Sequence, residues 1–188
     1  MIVLARTVVP AAVKGAEVTI TVEARPHREA YLAAMSNAPT AVTIIAVGGR
    51  HGPVAQTVSA ISSVSADPPT LLACVNRRSP LFQAAASVGY FSVSVLAARQ
   101  TGVSDTFAGR ADRPYDFGAA SWRVGTTGAP LLQGAVATFE CVLAESIEAA
   151  THTILLGRVL TSASEDGDPL VYHGRTYGTF TRTERNAR

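Results

Sequence analysis

Residues 55–82 read AQTVSAISSVSADPPTLLACVNRRSPLF, and the way this ribbon folds decides the architecture of the chain. Gln56, Thr57, Ser59, Ser62, Ser63 and Ser65 are interleaved with Val58, Ala60, Ile61 and Val64, so the segment is read as a β-strand with one polar and one apolar face. Its side chains are small, which lets a planar ring lie close to the backbone and take amide hydrogen bonds on its heteroatom edge. An edge strand with hydroxyls facing solvent fits the same pattern. Asp67-Pro68-Pro69 must end the strand, because proline fixes φ, lacks a donor and pushes the preceding residue from the helical region. Thr70–Val75 then reads as a short buried strand. Ser79 suits an N-cap and Pro80 the first helical position, which predicts a helix through Leu81, Phe82 and Ala84 to Ala86. Arg77 and Arg78 beside that helix start would favour an anion such as a phosphate, since free amides, helix dipole and bidentate donors act together. The alternative is a capped surface helix carrying two solvated arginines.

The run TVSAISSVSADPPTLLACVNRRS resembles the flavin reductase-like family of the FMN-binding split-barrel fold, in particular the small reductase components of two-component flavin-dependent monooxygenases. Further similarities follow in order. Pro39–Ile44 resembles the family's first core strand, Phe107-Ala108-Gly109 its FAG element, and Gly134–Cys141 its strand ending in Glu-Cys. His152 in THTILLGRV is similar to the family's histidine element, and Pro169-Leu170-Val171-Tyr172 with Arg175 and Tyr177 to its closing segment. The resemblance covers residues 28–180, and five ordered motifs carry more weight together than any one alone. Two departures stand out. Where the family has a Gly-x-Thr-Ala-Ser/Asn-Ser-Phe run this chain has Ala55, Thr57, Val58, Ser59, Ala60 and Ile61, so one flavin-facing hydroxyl and one aromatic are missing, and Ala150-Thr151 replaces the Gly-Asp before the histidine, removing a carboxylate that would orient or charge the imidazole.

The resemblance implies a mainly β protein, an antiparallel split β-barrel with a few short helices. It implies hydride transfer from NADH or NADPH to FMN or FAD, with the reduced flavin passed to a partner monooxygenase and the chain acting as a homodimer. The cofactor does the electronic work and the protein stacks the rings and stabilises charge growing on the flavin edge. On this reading Gln56, Thr57, Val58, Ser59, Ala60, Ser62 and Ser63 surround the ring and ribityl chain, and Asn76, Arg77 and Ser79 hold the phosphate. Phe107 would form a pocket wall. His152 is the candidate catalytic residue and a nicotinamide contact, joined by Tyr172 and Arg175, with His173 and Tyr177 as further outer contacts. A satisfied histidine at a strand start is the plainer reading of His152. Two other functions stay open: a flavin-retaining oxidoreductase acting directly on an organic substrate, and a non-enzymatic flavin- or haem-binding module.

Composition agrees with one compact domain. The chain has 188 residues, 47% hydrophobic and 16% charged, enough to bury a sizeable core. A formal net charge of +2 with dispersed basic residues argues against a nucleic-acid or charged membrane surface. Cys74 and Cys141 lie in apolar runs without CxxC spacing, and the histidines at 27, 51, 152 and 173 are scattered, so no metal site is expected. No GxGxxG fingerprint or GxSxG elbow is present. Neither a signal-peptide pattern nor a membrane-length apolar stretch is seen, and a cytoplasmic location is expected.

Residues 1–27 are read as an N-terminal extension, poorly ordered at its beginning, in which Val18–Ala24 alternates as a half-buried strand. The split-barrel domain is placed at 28–182, with 183–188 a tail. Within it the spacing predicts helices over His27–Ser36 and Gln100–Phe107, and strands over Val42–Val47 and Tyr90–Leu96. Asp112–Gly128 is read as a loop around Tyr115, Phe117 and Trp122. Ala135–Leu143, Ser146–Ala149, His152–Leu160 and Tyr172–Thr181 are read as four more strands.

Overall fold

The computed structural model describes residues 7–13, 16–22, 28–49 and 52–181. The chain divides into two compact units, residues 1–38 and 39–188. The first contains β1 (Thr7–Val13) and β2 (Ala16–Val22), paired antiparallel from Thr7↔Val22 to Val13↔Ala16, and helix α1 (Arg28–Ser36). β2 covers residues 18–22 of the expected alternating strand, and residues 23 and 24 lie outside the described residues. Thr7–Val13 is a strand that the sequence reading did not place, and the beginning of the extension, residues 1–6, expected to be poorly ordered, lies outside the described residues. α1, assigned by its spacing to the barrel domain, groups with this first unit.

The second unit is built on β3 (Thr40–Ala41), β4 (Thr43–Val47), β5 (Val54–Val58), β6 (Ile61–Ala66), β7 (Pro69–Asn76) and helix α2 (Pro80–Val88). Next come β8 (Tyr90–Val95), helix α3 (Thr101–Phe107), β9 (Trp122–Val124) and β10 (Pro130–Leu132). It closes with β11 (Ala137–Ala149), β12 (His152–Ser164), β13 (Leu170–His173) and β14 (Thr176–Thr179). Seven strands form one antiparallel sheet in the order β5-β4-β8-β11-β12-β7-β6, and β14-β13-β3 form a second.

The ribbon read as one strand is two. β5 pairs with β4, β6 pairs with β7, and these partners stand toward opposite edges of the large sheet. Only Ser59 and Ala60 separate Val58 from Ile61, three Cα steps that span at most about 11 Å. The sheet must therefore curl until its two edges come together, which gives the split barrel its seam. Alternation of side chains does not report which neighbour a strand pairs with, so the change of partner at Ser59-Ala60 left no periodic mark.

β4 is buried on both faces, as its unbroken apolar run requires. Ile45 and Val47 enter a core with Leu71, Val75, Leu81, Phe91 and Leu155, while Ile44 and Ala46 enter a second core with Leu96, Phe107, Leu132 and Leu170. Val42 joins the two sheets: its N–H donates to the Leu170 carbonyl (3.0 Å), and its carbonyl accepts from Leu96 N–H (2.9 Å).

Other boundaries shift for local reasons. β11 runs through Ser146 as one strand because register shifts at Glu140/Cys141 and Leu143/Glu145 absorb the irregularity that split it in the sequence. Tyr172–Thr181 is instead part of the β13–β14 hairpin, turning at Gly174 (φ 56°) and Arg175 (φ 63°), the left-handed pair that tight hairpins favour. The expected loop at Asp112–Gly128 contains β9, which pairs with β10.

Candidate functional site

β7 ends at Asn76 and the turn into α2 is fixed by its own side chains. Asn76 Oδ1 accepts from Arg78 N–H (2.9 Å), and Ser79 Oγ accepts from Leu81 N–H (3.2 Å) as the N-cap, with Pro80 at the first helical position. A cavity of about 600 Å³ opens at this helix start, lined by Ala55 and Gln56 of β5, by Asn76, Arg78, Ser79 and Pro80, and by Tyr115 and Phe117. Gln56 Oε1 is buried there without a hydrogen-bond partner, a costly state for a polar atom unless something supplies a donor.

The two arginines diverge. Arg78 lines the cavity and makes no ion pair among the described residues, whereas Arg77 reaches Glu148 on β11 (3.2 Å) in a solvent-exposed pair. The backbone explains the choice: Arg77 N–H donates to the Thr151 carbonyl (3.1 Å), tying that residue to the β11–β12 turn.

Tyr115 and Phe117 were read from the sequence as loop aromatics with no place in the site, and the FAG element positions both at the cavity. Phe107 is fully buried and lines neither this cavity nor the next; it meets Phe117 edge to face at 5.1 Å and Trp122 at 5.5 Å. Trp122 Nε1 donates to the Phe117 carbonyl (3.1 Å). Gly109 has φ 73°, and a Cβ there would lie 2.9 Å from the Tyr115 hydroxyl. Tyr115 itself holds φ 62°, a conformation rare outside glycine, with its N–H donating to Thr106 (3.0 Å). The sequence signal was there in the glycine, although nothing in it named the tyrosine.

A smaller cavity of about 160 Å³ is lined by Thr57, Ser59, Ser104, Arg110, Tyr172 and Tyr177 among others. Thr57 Oγ1 donates to the Ser104 carbonyl (2.7 Å). The Tyr177 hydroxyl donates to Asp105 Oδ1 and lies equally close to Ser104 Oγ, both at 2.8 Å, while Arg110 bridges Asp105 and the same hydroxyl. Burial raises the Asp105 pKa, but the Tyr177 and Arg110 hydrogen bonds outweigh it and hold the carboxyl below its ordinary range. Burial, reinforced by Asp105, pushes the Tyr177 phenol up.

The remaining candidates are dispersed. Ser59 and Ala60 are exposed between the two ladders; the Ala60 carbonyl accepts from Cys74 N–H (2.9 Å). Val58 is buried in the first core, and Ser62 and Ser63 sit on the exposed edge strand β6, outside both cavities. His152 stands opposite Asn76 in the β12–β7 register, exposed, with Thr151 Oγ1 2.9 Å from its Nδ1. A neutral hydroxyl thus lies beside the imidazole, from the residue where the family resemblance has an aspartate. Arg175 is exposed at its hairpin turn. Cys141 is buried, and burial followed by the nearby Glu140 charge pushes its thiol up to about 12, so it stays protonated at neutral pH. Among the described residues no group of acidic, histidine and cysteine side chains is arranged to hold a metal, and no helix is long and apolar enough to cross a membrane.

Comparison with known proteins points one way. The family model described as flavin reductase like domain matches residues 35–181. The chain is 39% identical to the FMN reductase (NADH) RutF of Stutzerimonas stutzeri over 86% of this chain and 93% of that protein. Among solved structures it is similar to BorF, the flavin reductase component of a bacterial two-component tryptophan halogenase (38% identity, 84% of this chain and 100% of that one, TM-score 0.76). It is also similar to SgcE6, an NADH:FAD oxidoreductase of Streptomyces globisporus C-1027 (32% identity, 84% and 96%, TM-score 0.76).

Proposed function

Because this chain belongs to the flavin reductase-like family, we propose that it is an NADH-dependent flavin reductase that releases reduced FMN or FAD to a separate monooxygenase component. The observation that carries this reading is the cavity at the start of α2. There an N-terminal helix dipole, Arg78 and the Ser79 cap favour a phosphate, while the unpartnered Gln56 Oε1 calls for a donor such as a ring imide or a ribityl hydroxyl. The small side chains at the seam, Ser59 and Ala60, let the edge of a flat ring approach their main-chain amides, the Ala60 carbonyl being already held by Cys74 N–H. Flavin, when bound, supplies the hydride acceptor; the chain's residues bind, orient and shield.

Thr57 and Ser59 line the small cavity beside the seam, and Tyr172 forms part of its far wall, a fit for a nicotinamide carried against the ring. His152 and Arg175 are the outer contacts of that substrate. Hydride transfer asks no proton of a side chain, so a histidine oriented by Thr151 suffices to position an amide.

The chain works as a homodimer in the cytoplasm, where reduced nicotinamide is available. On β7 and β12 the residues Leu72, Cys74, Ile154 and Leu156 alternate outward, opposite the buried Leu71, Ala73, Val75 and Leu155. These half-exposed apolar side chains, with Ile147 of β11 paired to Ile154, form the face a second copy would cover. Sedimentation of wild type and Ile147→Glu tests it, dimer against monomer.

The reaction is tested by following NADH and NADPH oxidation with FMN, FAD and riboflavin. Turnover with NADH and any flavin is expected, and none with any flavin would end the reading. Arg78→Ala should raise KM for FMN roughly ten- to hundredfold as a charge-assisted hydrogen bond is lost, and leave riboflavin nearly unchanged. Equal effects on both flavins would remove Arg78 from the phosphate site.

A further inference from the structure

A third cavity, of about 290 Å³, shares no lining residue with the two described above. Its walls come from Arg123 on β9, from Gly134 and Ala135 in the turn after β10, from Thr138 on β11 and from Glu165 just past β12. Arg123 stands opposite Leu131 in the β9–β10 register, and its Nη2 donates to Thr138 Oγ1 (3.3 Å), the hydroxyl of a buried residue. That single bond leaves most of the guanidinium donors free. Among the described residues neither Arg123 nor Glu165 makes an ion pair, although both line the one cavity.

The turn between them adds main-chain donors. Gly134 holds φ 69°, and its carbonyl is taken by Arg99 Nη2 (3.1 Å), which brings a second guanidinium to the turn. The N–H groups of Gly134 and Ala135 are bonded neither in a ladder nor in a turn, although Ala135 is only 2% exposed. Buried backbone amides are almost always paired, so two in succession call for an acceptor, and consecutive amides at such a turn form a nest for an anion. Glu165 makes the opposite demand. Its own N–H donates to the Val136 carbonyl (2.9 Å), which fixes that residue beside the start of β11. A simple anion would meet the Glu165 charge, and a simple cation would meet Arg123 and the nest.

We infer that this cavity is a second small-molecule site and takes a small α-amino acid, its carboxylate on Arg123 and the Gly134–Ala135 amides and its ammonium on Glu165. An α-amino acid carries both charges two bonds apart, which satisfies the two walls at once. Leu132, Ala135 and Ala163 complete the lining, and a volume at the lower end of small-molecule sites suits a short side chain. The site stands apart from the flavin reductase reading, since none of its residues lines the other two cavities. Trp122, the one tryptophan of the chain, adjoins Arg123 on β9 and packs 4.9 Å from Phe117, so its fluorescence reports on this strand.

The test titrates the full chain with glycine, L-alanine and L-serine, and separately with acetate and methylammonium, which carry one of the two charges each, followed by calorimetry and by Trp122 fluorescence. At least one of the three amino acids should bind with a Kd of about 1 mM or tighter, and acetate and methylammonium should bind at least about tenfold more weakly. Arg123→Gln and Glu165→Gln, both at exposed positions, should each weaken that amino acid about tenfold or more for the loss of a charged hydrogen bond. Melting curves matching wild type show that the variants are folded; where one does not match, the comparison of amino acid with acetate and methylammonium on wild type decides alone. No binding of any of the three up to about 10 mM, acetate or methylammonium binding as well as the amino acid, or undiminished binding by either folded variant would each overturn the assignment. Displacement of the amino acid by saturating FMN would overturn it too, by placing the amino acid in the flavin cavity. If no flavin supported NADH oxidation, the enzymatic reading would fail while these titrations still decided the third cavity.

Discussion

The two polar ends of the site differ in what they leave over. At the start of α2, Gln56 Oε1 is buried without a partner and Arg78 faces a cavity. At the other end Arg110, Asp105, Tyr177 and Ser104 satisfy one another across α3 and β14. A buried polar group without a partner is unfavourable in the free protein, so a site that keeps one points to a ligand that supplies what is missing. A cluster whose donors and acceptors are matched internally holds the architecture and offers a guest a preset wall rather than an unpaired group. On the proposed function the first end recognises the flavin, and the second ties the closing hairpin to the helix that frames the seam.

Glu140 offers the hardest test of that distinction, because it is a carboxylate that is itself buried and matched. Its carboxylate, only 2% exposed, accepts from Thr127 N–H (2.9 Å), Thr127 Oγ1 (3.0 Å) and Thr161 Oγ1 (2.9 Å), which pins the turn at Gly125–Gly128. Burial raises its pKa, but these hydrogen bonds outweigh that and hold it below 4.5. A depressed carboxyl stabilises the fold fully above its unfolded value and loses that stabilisation as pH falls through the folded value. Glu140→Gln should therefore cost about 1–3 kcal/mol of unfolding free energy at pH 7, and the gap to wild type should narrow below pH 4.5. Denaturant titrations across pH measure this. KM for FMN should not move; a large change would show that matched groups also shape the ligand site.

Gly109 stands where the two ends meet, between Ala108 beside the small cavity and Tyr115 beside the large one. Gly109→Ala forces a side chain into a left-handed backbone and against the Tyr115 hydroxyl at 2.9 Å. The expected loss is about 1–2 kcal/mol of stability from the backbone alone. KM for FMN should rise with it, because Tyr115 must leave its place in the cavity wall. A stability loss with unchanged KM would detach Tyr115 from the binding end.

How much of this could be read in advance depends on the range over which each feature is determined. The Asn76–Pro80 turn and α2 were legible because caps act over two or three residues, and Ser79 with Pro80 states them outright. The apolar run of β4 was legible because burial on both faces leaves no polar position. The seam was not: Ser59 and Ala60 continue an alternating pattern while the chain changes partners, and pairing is a long-range property. Phe107 read as a pocket wall, yet it packs in the core and hands that place to Phe117. Tyr115 in a left-handed conformation has no glycine or asparagine to announce it.

The finest test lies within one dipeptide. Arg77 and Arg78 are indistinguishable in composition and nearly so in position, and sequence alone placed Arg77 on the phosphate. In the structure the Asn76 side chain accepts the Arg78 amide, while the Thr151 carbonyl takes the Arg77 amide and that residue pairs with Glu148, which leaves Arg78 of the two on the cavity. Because the Arg77–Glu148 pair is solvent-exposed, its contribution is small, under about 1 kcal/mol and reduced by salt. Arg77→Ala should therefore change neither the melting temperature by more than a degree or two nor KM for FMN by more than about twofold, measured beside Arg78→Ala in the same assay. Should the two variants lose FMN equally, the guanidiniums act as one diffuse positive patch and the geometry of the turn does not select between them. Should Arg77→Ala alone lose it, the turn must reorganise when flavin binds, breaking the Glu148 pair to bring Arg77 round, and the contrast between a prepared end and a matched end would have to be redrawn.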